Sequence, residues 1–166
     1  MKIVLIILIV LLILYLIIGV FFFHYSNCTR ISKKLMFKGK NSFKLISKES
    51  IKWFKSSNYK EVYIKAFDKK KLHGYEIKNR LNTWVIIVHG YTNEATDMLD
   101  VAYYFYKKGY SVLLIDQRAH GKSDGIYSTH GVYEKKDMLS WIDYINKKKK
   151  TKIILYGISM GGTVIM

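Results

Sequence analysis

Three short apolar runs constrain this chain most: "TWVIIVH" at 83–89, "SVLLID" at 111–116 and "KIILYG" at 152–157. Each is too short for a helix and too continuous for a strand with one wet face, so each reads as a strand buried on both sides. The intervals carry helical spacing. Met98, Leu99, Ala102, Phe105 and Tyr106 mark one amphipathic helix, closed by Gly109. Met138, Trp141, Ile142 and Ile145 mark a second, whose last turn holds Lys147 to Lys150, favourable at the negative end of the helix dipole. Buried strands alternating with helices require crossover connections, and therefore an α/β fold with a mostly parallel sheet flanked by helices.

Upstream, "KEVYIKAF" places Val62, Ile64 and Phe67 in loose alternation, "DKKK" turns the chain, and "LHGYEIK" follows. Residues 60–78 thus predict an N-terminal hairpin. Ile51 and Phe54 share one face of a short helix in "KESIKWFKSS".

Residues 3–23, "IVLIILIVLLILYLIIGVFFF", are apolar without a charge. As a helix they span roughly 31 Å at about 1.5 Å per residue, enough for a bilayer core of about 30 Å. The run exceeds a signal-peptide core of about 7–15 residues and no Ala-x-Ala-like site follows, so a retained transmembrane anchor is expected rather than a cleaved leader. The domains expected are an anchor at 1–25, a basic juxtamembrane linker at 26–48 and a folded domain at 49–166.

The formal charge of +16 is uneven. Residues 26–82 hold 16 Lys/Arg against 4 Asp/Glu, whereas 83–166 hold 11 against 8. The excess sits beside the proposed span, where attraction to an anionic lipid surface and simple solvation both account for it. No nucleic-acid recognition motif accompanies it, and nucleic acid is not expected as a partner. Arg30, Lys33, Lys34, Lys38 and Lys40 after the span favour a cytoplasmic domain by the positive-inside rule, which long translocated domains escape. Cys28 is the single cysteine and forms no internal disulfide.

Chemistry concentrates where the strands end. "GISMG", Gly157 to Gly161, joins the third strand to the start of a helix. Small residues at both ends allow a cramped backbone that projects Ser159 at a helix N-terminus, where orphan N–H groups favour negative charge. His89-Gly90-Tyr91 ends the first strand, and the N–H groups of Tyr91 and Met160 can together form an oxyanion hole. Loss of one such donor costs about 2.7–4 kcal/mol of transition-state stabilisation. His89 reads better as a loop-bracing ring than as a base. "DQRAHGKSDG" follows the second strand, with Asp116, Arg118, His120 and Gly121 shaping a loop. Asp116 and His120 have spacing for a metal, but no further ligand cluster joins them, and neither metal nor cofactor is expected.

Taken together, "KLHGYEIKN", "WVIIVHGYT", "GYSVLLIDQRAHGKSDG" and "ILYGISMGG" resemble the N-terminal part of the α/β-hydrolase family, especially membrane-anchored bacterial serine hydrolases of the lysophospholipase, esterase and serine-aminopeptidase type. The resemblance runs from about residue 49 onward. It implies Ser159 as nucleophile, Tyr91 and Met160 as oxyanion donors, a small-molecule or lipid-like ester substrate and a domain outside the cytoplasmic membrane. The family's loop usually has Gly where this chain has Ala119, a change that matters if the position needs positive φ. In the family the triad acid and histidine follow the nucleophile. Here neither follows Ser159 within the 166 residues, so the chain is expected to be the front portion of such a hydrolase and inactive by itself.

Overall fold

The computed structural model describes residues 2–28, 46–148 and 151–166. Most of the expected linker, including Arg30, Lys33, Lys34, Lys38 and Lys40, lies outside the described residues, as do Lys149 and Lys150.

Helix α1 (Lys2–Asn27) contains the whole apolar run, and its own residues bury nothing. By length and composition it suffices to cross a membrane. Helix α2 (Lys48–Ser56) starts at Ser47, whose Oγ accepts from the Ser50 N–H at 3.1 Å and donates to Asp100 at 2.7 Å. That residue both caps the helix and ties it to a later one. The hairpin forms from β1 (Lys60–Lys65) and β2 (Lys71–Ile77), antiparallel with Val62 opposite Gly74. Phe67 falls past β1 and is exposed rather than continuing its alternation.

The apolar runs become β3 (Thr83–Val88), β4 (Ser111–Ile115) and β5 (Lys152–Gly157). A 3-10 turn, Ala95–Met98, leads into α3 (Leu99–Lys107), and α4 (Glu134–Lys148) precedes β5. Helix α5 (Met160–Ile165) follows it. The sheet order is β1-β2-β4-β3-β5. β3 runs parallel to β4 and β5, while β2 is antiparallel to β4, so the sheet is mixed.

Side chains alternate across this sheet with a period of two. Trp84, Ile86 and Val88 of β3, with Leu113 and Ile115 of β4, pack against Met138, Trp141 and Ile145 of α4. Val85, Ile87, Val112 and Leu114 turn to the other face and pack against Met98, Leu99 and Ala102. Each fully buried Ile, Leu or Val contributes about 1.5–3 kcal/mol relative to exposure, which makes these inner strands the stable frame. β5 departs from expectation. It pairs only with β3 among the described residues, and Ile154 is exposed, so it is an edge strand here rather than one buried on both faces.

The topology locates a crevice. From β3 the chain passes to β4 on one side, then returns to β5 on the other. The elements following β3 and β5 pack on opposite faces of the sheet. Loops leaving neighbouring strands in opposite directions open a cleft at the carboxyl ends of those strands, the usual place for a ligand in such sheets.

Candidate active site

Ser159 and Gly90 meet at that cleft. A Cβ on Gly90 would lie 3.3 Å from the Ser159 Cβ and 3.8 Å from its Oγ, so glycine leaves open the space in front of the hydroxyl. Ser159 is exposed and stands between β5 and α5 with φ 53° and ψ −123°. A side-chain residue with positive φ is strained, and such strain persists only where the surroundings impose it. Close packing imposes it here. A Cβ on Gly157 would stand 2.2 Å from the Gly161 carbonyl oxygen, and one on Gly161 would stand 2.5 Å from the Val88 oxygen. The turn is pressed against the end of β3, where the Ile158 N–H donates to the Val88 oxygen at 3.2 Å. Met160, the next residue, is buried and its Sδ accepts from the Ser128 hydroxyl at 3.3 Å.

The loops after β3 and β4 are built differently, from buried polar groups. The His89 ring is fully buried, with Nδ1 2.7 Å from the Gly90 oxygen and Nε2 3.1 Å from the Gln117 N–H. Nε2 therefore accepts and Nδ1–H donates. His120 repeats the pattern, with Nδ1 2.8 Å from the Arg118 oxygen and Nε2 3.3 Å from the Thr92 N–H. Gln117 returns a bond from Nε2 to the His89 oxygen at 2.5 Å. Both imidazoles thus spend both nitrogens on loop backbone.

Asp116 knots the loops together. Its carboxylate accepts from the Ala95 N–H at 2.7 Å and the Lys122 N–H at 3.0 Å, and lies 2.7 Å from His73 Nδ1. Burial alone would raise this carboxyl, but those hydrogen bonds outweigh it and hold the group below the ordinary carboxylate value. A Cβ on Gly121 would stand 2.2 Å from the Asp116 carboxyl carbon, so only glycine lets the loop close over it. Arg118 makes a two-pronged pair with Asp137 at 2.7 and 2.6 Å and reaches Asp68 at 3.2 Å. Ala119 has φ 63°, the left-handed conformation in which its methyl is unfavourable.

Sequence reasoning missed three members of this scaffold. His73 looks like one polar residue of a half-wet hairpin, yet it is fully buried beside Asp116, with Nε2 3.8 Å from Glu61. Glu134 and Asp137 look like the polar face of a helix, and both are buried. Glu134 accepts from the Thr129 N–H at 2.8 Å, the Thr129 hydroxyl at 2.6 Å and the Gly131 N–H at 2.8 Å, so it organises the 128–131 loop. Burial would raise its carboxyl, and those bonds instead hold it low. The signal available was an acidic residue opening a helix three residues after the "STHG" of 128–131. Among the described residues no group of three His, Cys, Asp or Glu stands ready to hold a metal ion.

A mixed sheet with flanking helices, opening a cleft at a serine between a parallel strand and a helix, defines the α/β-hydrolase class. Residues 80–166 match the family described as "Serine aminopeptidase, S33", and the chain belongs to that family. It is 30% identical over 118 residues to the Bacillus subtilis (strain 168) protein described as "Uncharacterized protein YqkD", covering 66% of this chain and 38% of that one. Among solved structures it resembles the Pyrococcus furiosus esterase Pf2001 at 39% identity and TM-score 0.63, over 66% of this chain and 45% of that one. An α/β hydrolase from Vibrio vulnificus shares the fold at 23% identity and TM-score 0.59, over 82% of this chain and 49% of that one. The chain spans less than half the length of these relatives.

Proposed function

We propose that the chain belongs to a membrane-anchored bacterial serine hydrolase that cleaves acyl esters through an acyl-enzyme at Ser159. The observation that carries this reading is the strained, exposed Ser159 opposite Gly90 at the cleft, held there by glycine packing. Such a turn is a nucleophile elbow. Among the described residues neither the Tyr91 nor the Met160 N–H donates to a protein acceptor, which leaves both for an oxyanion. The Ser159 Oγ attacks the ester carbonyl carbon, its proton passes through a base to the departing alkoxide, and water then releases the acid. His89 and His120 are committed to loop backbone, and the family pattern assigns the base and its acid to positions after the nucleophile.

The similarity to an esterase supports the substrate class, and the apolar α1 supports anchoring; the folded domain is placed outside the cytoplasmic membrane on the resemblance to anchored bacterial hydrolases, against the local charge count. Protease added to intact spheroplasts then digests the domain, and full protection reverses the orientation. For the chemistry, the test is a fluorophosphonate probe and a short-chain p-nitrophenyl ester on the protein as its gene encodes it. Labelling and turnover should both vanish in Ser159→Ala. Equal labelling of both proteins removes Ser159 from the role, and inertness to both reagents overturns the hydrolase reading.

A further inference from the structure

The last turn of α1 does not hang free of the folded domain. Every residue of α1 through His24 is exposed, Tyr25 and Asn27 are half-buried, and Cys28 is 4% exposed. What covers this end is the loop that reaches the candidate site. The Ser128 N–H donates to the Asn27 carbonyl at 3.0 Å. Tyr127 Oη lies 2.7 Å from His24 Nδ1, and its ring packs 5.9 Å from that of Phe23. His130 Nε2 lies 3.2 Å from Asn27 Oδ1, and the Tyr91 hydroxyl donates to the Ser26 carbonyl.

These partners touch the site itself. Ser128 donates to Met160, a Cβ on Gly131 would meet Thr163 Oγ1 at 3.2 Å, and the His130 ring packs tilted with its centroid 5.2 Å from that of Tyr91. The end of α1 is therefore bonded directly to the residue next to Gly90 and lies one side chain away from the residue after Ser159.

The geometry points to a docked anchor: the last turn of α1 braces the mouth of the site at the membrane surface, so that the ester reaching Ser159 is a lipid whose acyl chain is still embedded in the bilayer. This rests on the membrane-anchored hydrolase reading. The height of the mouth follows from the helix. From Phe23, the last apolar residue, to Cys28 is about 7.5 Å at about 1.5 Å per residue. A bilayer core of about 30 Å within about 40–45 Å in all leaves a headgroup layer of about 5–8 Å on each side. The docked turn thus occupies the headgroup layer, at the depth where a lipid's ester lies. Ile126 and Val132 flank the docking loop and are 62% and 66% exposed, apolar side chains suited to that boundary. An undocked anchor tethers a domain but leaves the height and tilt of its mouth free.

The single cysteine makes docking measurable. In membranes holding the protein, Cys28 should react with a water-soluble maleimide at least tenfold more slowly than in the detergent-unfolded chain. Asn27→Ala/Tyr127→Ala should raise that rate at least fivefold, with emission from the buried Trp84 and Trp141 unchanged. If the double variant's emission shifts red, Asn27→Ala alone serves, with a twofold rise expected. The same variant should lose at least fivefold in the ratio of turnover on a vesicle-embedded monoacyl ester to turnover on a dispersed short-chain ester. Reaction of wild-type Cys28 at the unfolded rate, or equal protection in the variants, overturns the docking. An unchanged turnover ratio overturns the embedded-lipid substrate. Fluorophosphonate labelling at Ser159 is read separately, so failure of the docking and failure of the hydrolase reading are distinguishable.

Discussion

The loops after β3 and β4 and the turn after β5 hold the same cleft by opposite means. The first two are fastened by buried polar groups, with His89, Gln117, Asp116 and His120 all bonding backbone from inside. The turn at Ser159 has no such fastening from its own side chain and is fixed by backbone pressed on backbone at Gly157 and Gly161. The difference follows from what each must leave exposed. A loop can spend its side chains on its own support, whereas a serine with the role proposed for Ser159 cannot. Steric exclusion positions the serine while leaving its hydroxyl uncommitted, and the polar loops supply the wall it is pressed against.

The sharpest way to break this comparison is to add one methyl group to the turn. In Gly161→Ala the new Cβ would stand 2.5 Å from the Val88 oxygen and 2.8 Å from the His89 oxygen, both backbone and unable to yield cheaply. We expect a loss of about 3 kcal/mol, at the upper end of overpacking costs, read as a lowered denaturation midpoint with disrupted Ser159 labelling. A stable, fully labelled Gly161→Ala protein would mean that packing does not hold the turn.

The next effect falls on the polar side. Asp116→Asn keeps the shape but removes the charge facing the Ala95 and Lys122 N–H groups and His73. The expected cost is about 2 kcal/mol, the scale of hydrogen bonds to a charged group. Acid titration sharpens the assignment. Asp116 and Glu134 both have folded pKa values below their ordinary ones, through the hydrogen bonds that offset burial. Their contribution is therefore complete above the unfolded values of about 3.9 and 4.3 and is lost as pH falls through the lower folded values. The part of the stability that these two carboxylates supply should fall below about pH 5, and that acid limb should be less steep in Asp116→Asn. An unchanged acid limb in the variant would remove Asp116 from the scaffold.

The same contrast explains what could be read from sequence. The strands, the helices α3 and α4 and the hairpin were legible because burial leaves a period, two in Trp84 to Val88 and three or four from Met138 to Ile145. The serine turn was legible because its glycines are local. The polar scaffold was not, because His73 and Asp116 are 43 residues apart and their pairing leaves no period. The end of α1 was equally hidden, since its partners at Tyr127 and His130 lie 103 residues on. The exposed side of β5 was missed because Ile153, Ile154 and Leu155 look alike whether one neighbouring strand or two are present.

The smallest test uses a residue where a polar loop carries strain like that of the serine turn. Ala119 has φ 63° and is fully buried. A left-handed conformation costs a side-chain residue roughly 1–2 kcal/mol, which glycine escapes. Against that, Ala119→Gly loses a buried methyl of about 0.8 kcal/mol and gains unfolded-state freedom worth about 0.4–1 kcal/mol. The terms nearly cancel, so the expected change in stability is within about 0.5 kcal/mol of zero. A loop held by hydrogen bonds should also keep its geometry, leaving Ser159 labelling rates within about twofold. The contrasting change is Ala119→Val, whose branched Cβ resists positive φ and should destabilise by more than about 1 kcal/mol. Should valine be tolerated as well as glycine, the loop would be free to leave the left-handed conformation. The polar network would then not be what holds it.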